Sequence, residues 1–173
     1  KNNYRNNENF MASDTVMMDC DNDHSEEPSM WITPENIYDM LPDVNFAIVP
    51  SRHNMLSKND KAARPRFHIY FEIPLCKSAD DYAAIKRGIH SSFPFLDDKA
   101  LDAARFVFGS DAGNVDWHEG WMTIDELLEQ DDDPDVAEKY TTGTYEVGTR
   151  NSSMSRFAAK VLKRYGISEK ARE

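Results

Sequence analysis

Short apolar runs bounded by turn-forming residues predict five strands in this chain. The clearest is residues 66–74, where polar and apolar side chains alternate strictly. Because successive side chains of a strand point to opposite faces, Arg66, His68 and Tyr70 share one face, and the aromatic and aliphatic residues between them take the other. The five predicted strands are residues 14–21, 44–50, 66–74, 104–109 and 114–121.

Four further segments carry helix-start signals. Thr33 can cap a helix whose first position is Pro34, where the missing N–H removes no hydrogen bond. Ser78 precedes Asp81 by three residues, a weak capping-box pair, and Gly166 can end the last helix. The predicted helices are residues 33–41, 78–93, 123–130 and 151–166. Strands and helices follow each other without a regular β-α-β alternation, which favours an α+β fold with helices on one face of a sheet.

Composition limits the class of protein. The 173 residues, 40% of them hydrophobic, are enough for one domain with a packed core. No apolar run is long enough to span a membrane, and the polar start is no signal peptide. Since the chain lacks an initiator Met, we expect a fragment of a longer protein. Two cysteines, Cys20 and Cys76, favour a reducing, cytoplasmic setting.

The charge is uneven along the chain. A net charge of -11 argues against a general nucleic-acid coat protein, which would be basic. Residues 125–138 hold eight acids and no Lys or Arg, whereas residues 150–173 hold seven Lys or Arg and two acids. The basic stretch at 57–66 lies almost entirely within the predicted polar, mobile loop at 51–65. Local charged patches, and not the net charge, therefore determine which ligands each part of the surface can bind.

Asp19 and Asp21 end the first predicted strand on the same face, about 6–7 Å apart by strand rise, with Cys20 pointing into the core. Two carboxylates this close repel unless a positive group lies between them, and oxygen ligands of this kind suit Mg²⁺ or Mn²⁺. A solvated acidic turn is the plain alternative. A calcium loop is excluded, because His24 and Met30 occupy the places of its Gly and Glu.

A second set of candidates is basic. His68 and Arg66 share a strand face that follows directly on a basic loop, an arrangement suited to a polyphosphate; an ordinary solvated surface is the alternative. Asp102 and Arg105 lie at or before the next strand, either as a third metal carboxylate with a cationic neighbour or as a helix-end acid and a surface Arg. The sequence shows no zinc spacing, nucleophile elbow, P-loop or dinucleotide fingerprint.

Three stretches, "MMDCD", "RPRFHIYF" and "LDAARFVFGS", resemble in order and spacing the motifs of the archaeo-eukaryotic primase superfamily. A fourth, "YEVGTRNSSMSRFAAKVLKRYG", resembles the start of the helical domain that follows the catalytic core in plasmid and phage primases. The resemblance covers roughly residues 14–166. It is closest to the primase-polymerases of phages, plasmids and integrated elements.

This resemblance implies an α+β catalytic core, in which a mainly antiparallel sheet like that of RNA-recognition domains packs beside a smaller α/β unit. Residues 1–145 would form the catalytic domain, with 1–13 flexible and 130–142 an acidic linker, and residues 146–173 would begin the helical segment. The expected activity is template-dependent primer synthesis on single-stranded DNA by two-metal catalysis, in the replication of a mobile element. The alternatives are a non-catalytic DNA-binding module of a replication initiator and a metal-dependent nuclease.

The resemblance also implies roles for single residues. Asp19, Asp21 and Asp102 would be the catalytic metal ligands for Mg²⁺ or Mn²⁺. His68 would contact the nucleotide phosphates, and Arg66 departs from the family's small residue at its position. Further nucleotide contacts would come from Arg66, Arg105, Lys58, Lys61, Arg64, Ser51, Arg52 and His53. The implied partners are NTPs or dNTPs, a single-stranded DNA template and a helicase domain or protein, with no membrane, in the cytoplasm of a bacterium or phage-infected cell.

Overall fold

The computed structural model describes residues 6–105 and 114–132, which form a mixed α/β fold around a four-stranded antiparallel sheet. This confirms the expected coarse fold class. The strands are β1 (Ser13–Cys20), β2 (Phe46–Pro50), β3 (Phe67–Cys76) and β4 (Asp116–His118). The α-helices in the described ranges are α1 (Pro34–Met40), α2 (Ala79–Ser92) and α3 (Ile124–Asp132).

The strand order is β1-β3-β2-β4, so β3 is central and pairs on both sides. Its neighbours run antiparallel to it, with Asp19 of β1 and Val49 of β2 both opposite His68. The predicted strands at 14–21, 44–50 and 66–74 are therefore confirmed. The predicted strand at 114–121 is present over three residues, and residues 106–109 of the predicted strand at 104–109 lie outside the described ranges.

The hydrophobic core fills one face of the sheet. Since alternate side chains of each strand point the same way, β1, β2 and β3 together present an apolar surface to the helices. Each fully buried Ile, Phe or Met there contributes about 1.5–3 kcal/mol to folding. The strand residues of this core are Val16, Met18, Cys20, Phe46, Ile48, Phe67, Ile69, Phe71 and Ile73.

The helix starts agree with the predicted caps. The Thr33 side chain accepts the Asn36 N–H, and the Asn36 side chain accepts the Thr33 N–H, a complete capping box before α1. The Ser78 side chain accepts the Asp81 N–H before α2. Helix α3 extends to Asp132, so the first residues of the predicted linker at 130–142 are helical. The rest of that linker, the boundary at 145–146 and the helix at 151–166 lie outside the described ranges.

The basic loop after β2 is more ordered than its composition indicates. Ser51 and Met55 donate backbone hydrogen bonds to Arg66 and Arg64 at 2.9 Å, and Lys58 and Lys61 bond to each other in both directions. These bonds fold the segment predicted as a mobile loop into successive turns against the start of β3. In the described ranges, we find no helix with the length and apolar character that crossing a membrane requires.

Candidate functional site

Asp19 and His68 face each other across the β1–β3 pair. Antiparallel register sets the two residues opposite one another, and Asp19 Oδ1 lies 3.7 Å from His68 Nε2. Burial lowers the pKa of His68, and Lys58 lowers it further, while Asp21 acts in the opposite direction. His68 is therefore neutral near pH 7, and its contact with Asp19 is not an ion pair under those conditions.

The Asp19 carboxylate is in an unfavourable environment for its charge. Its Oδ1 is buried and finds no hydrogen-bond partner in the described part of the chain. Burial first, and then the carboxylates of Asp21 and Asp97, raise the pKa of Asp19 against the opposing effect of Lys58 and Arg105, and the net result is a pKa of about 7. A buried acid without a partner and close to other acids is stabilised by a bound cation.

Asp21 is held by two cations. Lys58 Nζ lies 3.1 Å from Asp21 Oδ2, and Arg66 Nε lies 3.9 Å from Asp21 Oδ1. The same loop supplies Lys61, whose Nζ lies 2.9 Å from Asp23 Oδ2. The acids that end β1 and the basic loop that precedes β3 thus meet at one end of the sheet.

Arg66 presents an unsatisfied edge of its guanidinium at this place. The side chain is 1% exposed, and its Nη1 donates to the carbonyls of His53 at 3.2 Å and Leu56 at 2.6 Å. Its Nε and Nη2 are buried and make no hydrogen bond to any described residue. Since Nε and Nη2 form one side of the guanidinium, they match two oxygens of a phosphate or carboxylate.

Arg66 is also one of the residues that line a cavity of about 580 Å³. Its basic side consists of Lys58, Lys61 and Arg66, and its other side is the segment 94–99. A cavity of this size is in the range of small-molecule sites. Lys99 and four carboxylates, those of Asp21, Asp23, Asp97 and Asp98, line it as well. Cations and carboxylates in one cavity suit an anionic group bound together with a divalent cation.

Arg64, predicted as a phosphate contact, has a different environment. It is fully buried, and its guanidinium donates to the carbonyls of Asn22 at 2.9 Å and Ser25 at 3.1 Å and to Glu26 Oε2 at 2.6 Å. It also lies over the Trp31 ring at 5.1 Å. Because these groups already occupy its donors, the geometry speaks against the predicted phosphate contact and favours a role in holding the turn after β1.

The three predicted metal acids do not come together in the described residues. Asp102 is exposed, in an irregular segment, and acts on Lys86, where it partly offsets the burial that lowers the pKa of that lysine to about 8. The described residues include no group of three His, Cys, Asp or Glu arranged to hold a metal. Arg105, also predicted, is exposed but close enough to lower the pKa of Asp19.

Asp97 is the acid that sequence reasoning missed. Its backbone N–H donates to the Asp19 carbonyl at 2.8 Å, and its carboxylate raises the pKa of Asp19. Leu96–Asp97 and Leu101–Asp102 are both hydrophobic-Asp steps, so the sequence signal was present twice. Only the fold distinguishes them, because the segment that contains Asp97 is the one that passes the end of β1.

The remaining predicted residues follow β2. Ser51 Oγ accepts the His53 N–H at 3.2 Å, and the His53 carbonyl accepts from Arg66. Ser51 and His53 thus form the turn against which Arg66 packs, and Arg52 between them is exposed. The structure brings together Asp19, Asp21, His68, Arg66, Lys58 and Lys61 of the predicted set.

The residues present suit a hard divalent cation in part. Asp19 Oδ1 lacks a partner among described residues, and Asp21 supplies a second carboxylate from the same strand end. A third ligand would have to come from Asp97 after a small movement, since its Oδ1 now accepts the Lys99 N–H at 3.0 Å.

No family model matches the chain, and comparisons with curated proteins and with solved structures also return no match. The resemblance to primases therefore depends on the order of short motifs.

Proposed function

We propose that this chain is a metal-dependent nucleotidyltransferase of the primase-polymerase type, which joins NTPs or dNTPs on a single-stranded DNA template. The observation that carries the proposal is the site where β1 ends and β3 begins. Two carboxylates, one of which has a buried oxygen without a hydrogen-bond partner among described residues, lie beside an arginine edge that also lacks such a partner. A site of this kind is suited to a cation and a polyphosphate bound together.

Asp19 and Asp21 would hold Mg²⁺ or Mn²⁺, with Asp97 as the third acid in place of Asp102. The bound metal would activate the attacking 3′-hydroxyl and offset the charge of the phosphates. The protein itself contributes a largely buried setting, which strengthens the charge interactions of Asp19, and the opposed strands, which fix His68 next to it.

The triphosphate would lie toward the cavity of about 580 Å³. Arg66 would bind two phosphate oxygens through Nε and Nη2, and Lys58 and Lys61 would exchange Asp21 and Asp23 for phosphate. His68, neutral near pH 7, would donate one hydrogen bond to the same ligand. The finer fold expectation, a primase core with a second α/β unit, belongs to the same proposal.

A second candidate has one observation in its favour. The described residues contain no group of three metal ligands. A non-catalytic DNA-binding module of a replication initiator would not need one. That module would bind DNA without any dependence on metal. A metal-dependent nuclease using the same acids would degrade DNA and would not require nucleotides.

The test is incorporation of labelled nucleotides on single-stranded DNA, with and without a primer, in Mg²⁺, Mn²⁺ or EDTA. Asp19→Asn runs beside the wild type, and Asp39→Asn, which changes an exposed acid on α1, is the matched control. We expect metal-dependent products from the wild type and the control and none from Asp19→Asn. Products that persist in Asp19→Asn would contradict the metal assignment, and shortened DNA would establish the nuclease.

A further inference from the structure

A second cavity, of about 520 Å³, lies on the face of the sheet opposite the core. Its floor is apolar and comes from three strands: Tyr70 of β3, Ala47 and Val49 of β2, and Trp117 of β4. The Trp117 side chain is 75% exposed, and Val115 beside it is 48% exposed. Large exposed apolar groups gathered in one groove indicate a binding surface.

This groove continues the proposed site along β3. Arg66, His68, Tyr70 and Glu72 alternate onto the same face, at steps of about 7 Å by strand rise. The His68 and Tyr70 rings approach edge to face at 6.4 Å. Hence the anion-binding edge of Arg66, the Asp19–His68 pair and the aromatic groove follow one another in that order over roughly 15–20 Å.

The charges in the groove differ from those of the phosphate cavity. Asp14, Glu72 and Glu119 line it together with Asn45, and its described lining contains no Lys or Arg. The Asn45 side chain donates to Glu72 Oε2 at 3.3 Å. Carboxylates repel phosphate but accept hydrogen bonds from the amino groups of bases. A ligand with flat apolar faces and N–H donors at its edges therefore suits this groove.

We propose that the groove of Tyr70 and Trp117 binds unpaired bases of the single-stranded DNA by stacking, next to the reacting end. This inference rests on the proposed function for the identity of the strand. Aromatic side chains on a four-stranded antiparallel sheet can stack two or three bases, and this binding tolerates any sequence because every base has a π face. The strand's phosphates would lie outside the acidic rim.

The test is the Kd of the 173-residue chain for a fluorescein-labelled 12-nucleotide single strand of mixed sequence, measured by anisotropy without nucleotides. Trp117→Ala and Tyr70→Leu remove the stacking rings. Trp121→Ala is the matched control, since Trp121 is 67% exposed and lies outside the groove lining. We expect Kd to rise about 5- to 100-fold in the two groove variants, to stay unchanged in the control, and to be largely restored in Trp117→Phe.

The salt dependence separates stacking from charge. Because no phosphate contact is removed, the slope of log Kd against log salt should be the same in Trp117→Ala and the wild type. An unchanged Kd in both groove variants would overturn the inference. A second result would also overturn it: the chain binds a lysine-rich peptide, and Trp117→Ala abolishes that binding but leaves DNA binding intact. That result would identify a basic protein partner instead.

The two proposals fail separately. Single-strand binding that depends on Trp117, without nucleotide addition in any metal, would leave the groove in place and refute the polymerase. Nucleotide addition that depends on Asp19, with the same template Kd in Trp117→Ala and the wild type, would refute the groove and leave the polymerase.

Discussion

Arg64 and Arg66 stand two residues apart in one loop, yet their surroundings give them different roles. Arg64 is saturated by carbonyls and Glu26, whereas Arg66 keeps Nε and Nη2 without a described partner. A buried arginine of the first kind stabilises the fold, and one of the second kind is available to a ligand. This difference makes Arg66 the most informative single residue in the site.

Arg66→Lys should raise the Kd for nucleotide about 10- to 100-fold, because an ammonium group cannot replace the paired donors of the guanidinium. The measurement is titration with a fluorescent nucleotide in Mg²⁺, with thermal unfolding of the same variant to show that the loop still folds. Arg87→Lys, on the exposed side of α2, is the control and should bind as the wild type does. A Kd in Arg66→Lys equal to that of the wild type would remove Arg66 from the site.

Asp19 gives a prediction for pH. Burial, Asp21 and Asp97 raise its pKa to about 7 from 3.8, so between these values the folded chain binds a proton that the unfolded chain has lost. Stability without metal is therefore fully retained below about pH 4 and falls as pH rises toward 7. Asp19→Asn removes this penalty.

We expect Asp19→Asn to be more stable than the wild type by about 1–4 kcal/mol at pH 8 in EDTA, with little difference at pH 4. Denaturant unfolding at the two pH values measures it. The Asp39→Asn control should show no such pH-dependent gain, because Asp39 is exposed. Equal stabilities of Asp19→Asn and the wild type at pH 8 would mean that Asp19 is not a strained acid.

Among the elements, the connection between β4 and α3 passes very close to the backbone of Asp43 and Val44. A Cβ on Gly120 would lie 2.3 Å from the Asp43 carbonyl oxygen, because Trp121 and Met122 both donate to that oxygen. Gly88, in the middle of α2, differs, since a Cβ there would meet Leu128 at 3.6 Å, an ordinary contact.

Gly120→Ala should destabilise the fold by about 1–3 kcal/mol, because the backbone at Gly120 or at Asp43 and Val44 must move to make room for the added methyl group. Gly88→Ala should be neutral or stabilising by up to about 1 kcal/mol, because alanine favours a helix. Denaturant midpoints of the two variants provide the comparison. A Gly120→Ala variant as stable as the wild type would show that this connection is looser than its geometry indicates.

The sequence predicts the strands and helix caps better than it predicts which residues form the candidate site. Strands and caps depend on local spacing, so β1, β3 and the caps at Thr33 and Ser78 follow from the sequence. Which acid joins Asp19 depends instead on where a distant loop passes the sheet. No local rule distinguishes Asp97 from Asp102.

The whole molecule carries a net charge of -11, yet Lys58, Lys61 and Arg66 lie together where acids end β1. Without ligands, two charges in the site have only imperfect partners: Asp19 is close to other acids, and Arg66 Nε lies 3.9 Å from Asp21 Oδ1. Metal and phosphate would complete both halves together. Binding should then stabilise the whole fold, because a ligand that binds only the folded state shifts the unfolding equilibrium.

At a nucleotide concentration of about 100 times Kd, this linkage amounts to about 2.7 kcal/mol, which corresponds to a rise in Tm of roughly 5–11 °C for a chain of this size. Calorimetry with metal alone, nucleotide alone and both together separates the two halves. Arg66→Lys should keep the rise caused by metal and reduce the rise caused by nucleotide to about half or less, since a 10- to 100-fold higher Kd leaves about 0.4–1.4 kcal/mol of this linkage, whereas Asp19→Asn should lose both. If nucleotide raises Tm equally in EDTA and in Mg²⁺, the phosphates bind without the metal, and the acids at the end of β1 serve another purpose.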